Sequence, residues 1–189
     1  MKIKYHGHSC FSITSNDYTI VLDPYTGVKG FEDVDLMANE VIASHTHKDH
    51  AFTEGVRVIP AASTFAVDKI ATFHDDENGS KRGENFVTIL EAEGKKLVHL
   101  GDLGHLLDDD AVEKIKGCDV LMIPIGGFFT IDAANALQII DAVKPKNVIP
   151  MHYRDGDKGY DVLGTVDDFL TMYGKPCLLV KGYGREGEI

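Results

Sequence analysis

The sequence has few cysteines, no long apolar run and a deficit of basic residues. The three cysteines, at positions 10, 118 and 177, form no close pair, which argues against a disulfide framework and against a Cys-based zinc knuckle. The longest apolar stretches, such as residues 120–125, fall far short of the roughly 20 residues that a bilayer span requires. The N-terminal segment lacks the apolar region of about 7 to 15 residues that a secretory signal needs. We therefore predict a cytoplasmic protein without a membrane span.

The charge of the chain is strongly negative. Lys and Arg number 19 and Asp and Glu number 30, which gives a formal net charge of −11 over 189 residues. Such a chain repels the phosphate backbone and has no Lys/Arg cluster to follow it, so we do not expect a nucleic-acid partner. With 43% apolar and 26% charged residues, the composition is that of a globular protein and excludes disordered and fibrous classes.

The first half of the chain has the pattern of short β-strands. Turn signals such as Ser15-Asn16-Asp17 and Asn78-Gly79-Ser80 separate apolar, β-branched runs, as they do between neighbouring antiparallel strands. The predicted strands cover residues 2–6, 10–14, 18–22, 41–44, 56–60, 65–73, 86–91 and 96–100.

The second half alternates strands with helices. Asp132 is a candidate N-cap for a helix that stops at Lys144-Pro145, Thr165 begins a second helix that ends at Gly174, and a shorter helix covers residues 108–116. We predict strands at residues 120–125, 147–151 and 178–182. This alternation indicates an α/β layer. No repeat or Pro/Gly/Ser linker divides the chain, so residues 1–189 are predicted to form one domain.

Two longer segments without periodicity are candidates for a rim that faces a substrate. They cover residues 25–40 and 153–164. Long loops in compact domains often carry function.

The segment His45-Thr46-His47-Lys48-Asp49-His50 carries the strongest chemical signal, because it places four potential metal ligands within six residues. In extended backbone, His45 and His47 point to the same side, whereas Asp49 and His50 leave the strand in another direction. One segment can thus serve two metal ions. Imidazoles and carboxylates without thiolates suit zinc, iron or manganese.

Other ligand-type residues follow apolar strands, where a sheet can deliver them to one edge. They are Asp23, His74, Asp102 and His152. Each alone is also typical of a turn or a surface position. His99 precedes Asp102 by three residues and is predicted to point away from it in a structural role.

Taken together, these motifs resemble the metallo-β-lactamase-fold hydrolase superfamily, and in particular its ascorbate-6-phosphate lactonase-like branch of metal-dependent hydrolases. The resemblance covers essentially the whole chain. It is carried by residues 5–11, 21–25 and 45–50, by His74-Asp75, Arg82-Gly83-x-Asn85 and residues 99–105, and by residues 124–132 and 144–153.

The resemblance implies an α/β fold, a four-layered αβ/βα sandwich, with two divalent metal ions at one edge of two sheets. Zn2+ is the first expectation, with Mn2+ or Fe as alternatives. The ligand set that the resemblance implies is His45, His47 and His74 for the first ion, Asp49, His50 and His152 for the second, Asp102 as a bridge, and Asp23 as a support for the His-x-His segment.

The resemblance also implies hydrolysis by a metal-bridging hydroxide on a small anionic ester, lactone or phosphoester. Asp102 and Asp49 are the expected residues for orienting the nucleophile and moving its proton. His105 is a further catalytic candidate, and His8, Tyr153 and Asp132 are candidates for substrate contacts.

Two other functions remain open on the same ligand set. A diiron redox or sensing protein is the first, because the superfamily includes diiron proteins, although no flavin or rubredoxin-like module is attached. A nuclease is the second, and the net charge of −11 weighs against it. The chain is short for the superfamily, so a homo-oligomer in which a second subunit completes the site is a further alternative.

Overall fold

The computed structural model describes residues 1–189 and contains two five-stranded β-sheets, one two-stranded sheet and three α-helices. A 3-10 turn covers Thr53–Gly55. The strands are β1 (Lys2–Gly7), β2 (Cys10–Ser15), β3 (Tyr18–Leu22), β4 (Leu36–Ala38), β5 (Glu40–Ile42), β6 (Val56–Val58), β7 (Ala66–Phe73), β8 (Glu84–Ala92), β9 (Lys95–His99), β10 (Val120–Pro124), β11 (Val148–Met151) and β12 (Glu186–Glu188). The helices are α1 (Asp109–Ile115), α2 (Ala133–Val143) and α3 (Val166–Tyr173).

The first sheet has the strand order β12-β1-β2-β3-β5. Strands β1, β2 and β3 pair antiparallel, and β3 pairs with β5 in parallel. The turn between β2 and β3 holds Asn16 and Asp17 at positive φ, 47° and 63°, as a tight hairpin requires. The antiparallel arrangement predicted for the start of the chain is therefore confirmed.

The second sheet has the order β11-β10-β9-β8-β7. Strands β7, β8 and β9 are antiparallel, whereas β9, β10 and β11 run in parallel and are separated along the chain by α1 and α2. Strand β7 lies at the edge of this sheet, and most of its residues are exposed. The parallel strands confirm the α/β layer that the alternation predicted.

One apolar core joins the facing sides of the two sheets. On β3, Ile20 and Leu22 point into it, while Val21 points to the opposite face of the sheet, because side chains alternate along a strand. The core contains 34 buried residues and includes the inner sides of α2 and α3. It fixes the two sheets against each other, and with them the strand ends that carry the candidate ligands.

The helix boundaries follow the capping signals of the sequence. Asp132 accepts a hydrogen bond from Asn135 N at 2.9 Å and begins α2, and Thr165 Oγ1 accepts one from Asp168 N at 3.2 Å and begins α3. Gly174 ends α3 with φ of 64°. The longest helix has 11 residues, and none is long and apolar enough to cross a membrane.

The outer face of the first sheet is covered by loop segments and the two-stranded β4–β6 sheet. Seven buried residues form this second apolar cluster, among them Val21 of β3, Tyr25, Val34 and Val56, and no α-helix contributes to it. The α/β sandwich predicted from the resemblance is thus present with helices over one sheet, while the layer over the other sheet is non-helical. Strand β4 lies inside the segment predicted as a loop at residues 25–40.

The strand predicted at residues 178–182 is wrong. This segment forms turns, with Leu179 and Lys181 both at φ of 51°. Leu178 N donates to Val148 O of the second sheet, whereas the following strand β12 pairs with β1 of the first sheet. The chain turns here because it crosses between sheets, and its apolar side chains pack against the core instead of forming a strand.

Candidate metal centre

The candidate ligands converge because each follows the end of a strand at one edge of the two sheets. His8 follows β1, the His45–His50 segment follows β5, and His74 follows β7. Asp102 comes three residues after β9, and His152 directly follows β11. Ligand-type residues from both sheets therefore meet at one place, as the positions after apolar strands predicted.

Three histidines form a first cluster. His45, His47 and His74 each offer a ring nitrogen, and these atoms lie within 4.8 Å of one another. His45 and His74 are buried, whereas His47 is exposed. Burial lowers the pKa of His45 to about 3, so this imidazole is neutral at neutral pH and has a free lone pair.

Asp23 orients two of the imidazoles. Its carboxylate accepts hydrogen bonds from His50 Nδ1 at 2.8 Å and from Ser44 Oγ at 2.7 Å, and Ser44 Oγ lies 2.9 Å from His45 Nδ1. Because Ser44 donates to Asp23, its oxygen accepts from His45. This chain leaves Nε2 of both His45 and His50 directed away from Asp23 and without a hydrogen-bond partner. Such partners fix the tautomer and ring orientation of metal-binding histidines.

The charges around His50 also favour a cation. Burial alone would lower the pKa of His50, but the Asp102 and Asp23 carboxylates raise it well above its usual value. Burial alone would likewise raise the pKa of Asp23, and the hydrogen bond from His50 holds it below its usual value. The site therefore keeps positive charge between two buried carboxylates, a role that a metal ion can take over.

Asp102 lies at the centre of the site. Its Oδ2 atom is 3.1 Å from His50 Nε2, 3.2 Å from His74 Nε2 and 3.3 Å from His152 Nε2. Burial alone would raise the pKa of Asp102, but His152 and His50 hold it well below its usual value. Asp102 is thus a carboxylate that contacts histidines from separate parts of the site.

The position directly before Asp102 has room only for glycine. Gly101 has φ of 57°, and a Cβ atom there would lie 2.4 Å from Asn85 Oδ1 and 2.5 Å from Ser44 Cβ. Asn85 Oδ1 accepts from Asp102 N at 2.9 Å. The glycine therefore permits the close approach that holds Asp102 beside the His45 segment.

The buried polar atoms of the site fit a bound metal. Buried polar groups in proteins normally have hydrogen-bond partners, yet seven nitrogen or oxygen atoms here have none. They are His8 Nδ1 and Nε2, His45 Nε2, His50 Nε2, His74 Nδ1, Asp102 Oδ1 and His152 Nδ1. A set of imidazoles and carboxylates without thiolates matches the ligands of zinc and related divalent ions.

A cavity of about 300 Å³ opens onto these residues. Arg82 is the only Lys or Arg in its wall, and the rings of Phe129 and Tyr160 lie 5.9 Å apart, centre to centre. The guanidinium of Arg82 lies 5.7 Å from the Phe129 ring centre, and its Nη2 donates to Phe128 O at 3.1 Å. The lining residues are His47, Asp49, His74, Arg82, Asp102, Phe129, His152 and Tyr160.

Sequence reasoning missed the three residues that give this cavity its shape. Arg82 stands in a motif that carried the resemblance, and Tyr160 lies in the segment at residues 153–164 predicted to form a rim. Phe129 lies two residues after Gly127, within the segment 124–132 that also carried the resemblance. These positions carried a local signal, but nothing in the sequence placed the three side chains around one cavity.

The structure does not bring every predicted site residue to the cavity. Tyr153 is 3% exposed and its hydroxyl accepts from Lys181 N, so it belongs to the core and does not line the cavity. His105 Nε2 accepts from Phe73 N, and Asp132 caps α2; neither residue lines the cavity. His99 accepts from Gly101 N at Nδ1 and has Ser9 O beside Nε2, which fits a structural role.

The comparisons with known proteins place the chain in a superfamily. Residues 2–152 match the family described as the Beta-lactamase superfamily domain. The chain belongs to this superfamily and has the metallo-β-lactamase fold. Within it, the chain belongs to the UPF0173 metal-dependent hydrolase family.

Individual relatives agree with this assignment. The chain is 31% identical to a UPF0173 metal-dependent hydrolase of Nanoarchaeum equitans, with 81% of this chain and 84% of the relative covered. It is 27% identical to one of Thermoplasma acidophilum, covering 91% and 95%. A solved structure of a candidate Zn-dependent hydrolase of the metallo-β-lactamase superfamily from Thermotoga maritima is 37% identical, with a TM-score of 0.72 over 92% of this chain and 86% of the other.

These relatives confirm the predicted class of enzyme, a metal-dependent hydrolase. The lactonase-like branch, the individual ligands and the identity and number of the metal ions stay predictions.

Proposed function

We propose that the protein is a dinuclear metal hydrolase that cleaves a small anionic ester, lactone or phosphoester in the cavity above Asp102. The observation that carries this proposal is the position of Asp102 between two groups of imidazoles. His45, His47 and His74 form one group, of which His74 lies 3.2 Å from Asp102 Oδ2, and His50 and His152 lie 3.1 Å and 3.3 Å from the same atom. His45 and His50 also group with Asp102 itself. A single buried carboxylate between two nitrogen clusters suits two neighbouring cations.

Different side chains would bind each of the two ions. His45, His47 and His74 would hold the first ion, and His50 and His152 would contribute to the second, with Asp102 shared between them. Bound divalent ions supply Lewis acidity and lower the pKa of water toward neutrality. Zn2+ is the preferred ion, because the ligands are imidazoles and carboxylates with an open cavity beside them.

Asp49 is the candidate for moving a proton. It lies in the cavity wall, and Tyr160 donates to its Oδ2 atom at 3.3 Å. Burial alone would raise the pKa of Asp49, but His8 and His50 lower it below its usual value. The carboxylate is therefore ionised at neutral pH and able to accept a proton from the nucleophile and pass it to the leaving group.

The cavity wall supports a small anionic substrate. Arg82 offers the only Lys or Arg in the wall, and a guanidinium binds carboxylate and phosphate groups through paired hydrogen bonds. Phe129 and Tyr160 provide apolar surface beside it. A volume of about 300 Å³ fits a small molecule rather than an extended polymer.

The first experiment measures metal content by mass spectrometry in protein purified without chelator or metal-affinity resin. We expect about two zinc ions per chain, and fewer in the Asp102→Asn variant, because the shared carboxylate loses its charge. The same protein is then assayed with anionic esters, lactones and phosphoesters and with uncharged esters of similar size.

Three results would count against this proposal. Fewer than one ion per chain would contradict a metal site at these residues. About two iron ions would favour redox chemistry or sensing instead. Two zinc ions without metal-dependent turnover of any of these substrates would contradict the proposed substrate class.

A further inference from the structure

His8 is a buried imidazole with no hydrogen-bond partner on either ring nitrogen. Its side chain has no solvent exposure, and both Nδ1 and Nε2 lack partners. Burying a polar group without a partner costs free energy, so an imidazole in this state indicates an unassigned role. His8 does not line the cavity, which argues against the substrate contact predicted for it.

The neighbours of His8 are two of the candidate ligands. Its ring centre lies 4.9 Å from that of His50 and 4.3 Å from that of His152. One ring nitrogen from each of the three residues lies within 4.8 Å of the others. Asp49 belongs to no such group.

The backbone holds His8 in this place. The residue adopts φ of 50° directly after Gly7 at 116°, where the pairing of β1 with β2 shifts register. The carbonyl of His8 accepts from Tyr5 Oη at 3.0 Å and from His152 N at 2.9 Å. A non-glycine residue in this region of φ is strained, and two hydrogen bonds here fix it and join it to His152.

Asp49 is placed differently. Its side chain is 25% exposed, lies in the cavity wall and accepts from Tyr160. Its Oδ2 atom is 3.5 Å from His8 Nε2 without the geometry of a hydrogen bond. Asp49 therefore faces the substrate space, and His8 lies behind it.

We propose that His8, His50 and His152 together form a three-imidazole metal position, and that Asp49 is left free to act on the substrate or its water. This inference rests on the proposed dinuclear function and deepens it. Three neutral imidazoles offset none of the charge of a divalent ion, which would then be balanced only by its share of the Asp102 carboxylate, whereas an Asp49 ligand would offset more of it. The position so formed would attract an anionic substrate more strongly, and three-histidine sites are known to hold catalytic zinc.

The test compares the zinc content and zinc affinity of four proteins prepared without metal and then titrated with Zn2+: the wild type, His8→Gln, Asp49→Asn and His6→Gln. His6 lies two residues earlier on β1, contacts Ser12 Oγ at 2.8 Å and takes no part in the site, so it is the matched control. Titration calorimetry gives the affinity of each ion, and mass spectrometry gives the number retained after gel filtration. Circular dichroism of the metal-free proteins checks that each variant folds.

We expect two retained ions in the wild type, in His6→Gln and in Asp49→Asn, and one in His8→Gln. The affinity for the lost ion should fall more than 100-fold, because replacing a partner that merely orients a ligand typically costs about 10- to 100-fold. Asp49→Asn should keep its ions and lose turnover.

Retention of both ions by His8→Gln, or loss of an ion from Asp49→Asn, would overturn the inference. If the wild type itself binds a single ion, the dinuclear function fails first. In that case, loss of that ion in His8→Gln would still support the three-imidazole position, and its retention would reject it.

Discussion

At the scale of single residues, three residues of the candidate metal centre have a strained backbone. His8, Asp23 and His152 all adopt positive φ, at 50°, 45° and 53°. Each follows directly after a β-strand or its last glycine, and each has its backbone or side chain held by hydrogen bonds within the site. Strain of this kind costs free energy and persists where surrounding contacts enforce it. Here it accompanies the turn that brings His152 beside Asp102, Asp23 beside His50 and His8 beside His152.

Arg82 gives a prediction at the same scale. Replacing it by Gln should raise the KM for anionic substrates about 10-fold or more and leave kcat nearly unchanged, because the charged hydrogen bond is made to substrate and transition state alike. Uncharged esters should show almost no change. Steady-state kinetics on matched anionic and neutral esters measure the effect.

The neighbouring Lys81 provides a control. It is exposed and pairs with Glu77 on the surface, outside the cavity wall, so Lys81→Gln should leave both KM values alone. An equal rise in KM for neutral and anionic esters in Arg82→Gln would show that the residue shapes the cavity without recognising charge.

At the scale of elements, short-range signals determined which boundaries could be predicted. The caps of α2 and α3 lie where Asp132 and Thr165 indicated, because a side chain that accepts from a backbone N–H three residues later is a local interaction. The segment at residues 178–182 has an apolar pattern typical of a strand, yet it turns, since the next strand belongs to the other sheet. The sheet to which a strand belongs depends on residues far away in the chain, so it cannot be predicted from a short stretch of sequence.

Asp119 gives a prediction about the hydrogen bonds that connect neighbouring strands. Just before β10, it accepts from Lys96 N of β9 and from Lys146 Nζ, both at 2.9 Å, and these bonds lower its pKa from the ordinary value of 3.8. Its stabilising effect is therefore full above about pH 4 and is lost as the pH falls through the lowered pKa.

Asp119→Asn should lower the Tm at pH 7 by roughly 2–4 °C, which corresponds to about 1 kcal/mol for a chain of this size; solvent around Lys146 limits the effect. Thermal unfolding at pH 7 and at pH 3 should show the difference shrinking in acid. Asp141→Asn, on the exposed side of α2 and without an ion pair, is the control. A constant difference across pH would contradict the role of the charge.

At the scale of the whole molecule, the candidate centre connects parts of the chain that are far apart in sequence. His8 and His152 are separated by most of the chain, and their main chains are hydrogen-bonded to each other. The ligand types and their places after strands were readable from sequence, because they depend on local order. Two features could not be predicted from the sequence, because they depend on how the sheets pack. The first is the grouping of His8 with His50 and His152, and the second is the cavity shared by Arg82, Phe129 and Tyr160.

Metal removal should therefore destabilise the entire fold. A ligand at 100 times its Kd stabilises the folded state by about 2.7 kcal/mol per site, which corresponds to roughly 5–10 °C in Tm for a chain of this size. Differential scanning calorimetry with excess Zn2+ and with chelator measures this difference. An unchanged Tm would mean that no ion binds at these residues, and the Asp102→Asn variant should show a smaller shift than the wild type.

Strand β7 has a consequence for how copies of the protein meet. It is eight residues long, lies at the edge of its sheet and exposes most of its side chains. An open strand edge offers unpaired main-chain groups to a second copy, and such pairing is a route to aggregation. Asp68 and Lys69 lie in the exposed part of β7, so an incoming strand would have to desolvate both charges. We therefore expect these two charges, which lie outside the cavity wall, to hinder the pairing of β7 with a second copy at high concentration.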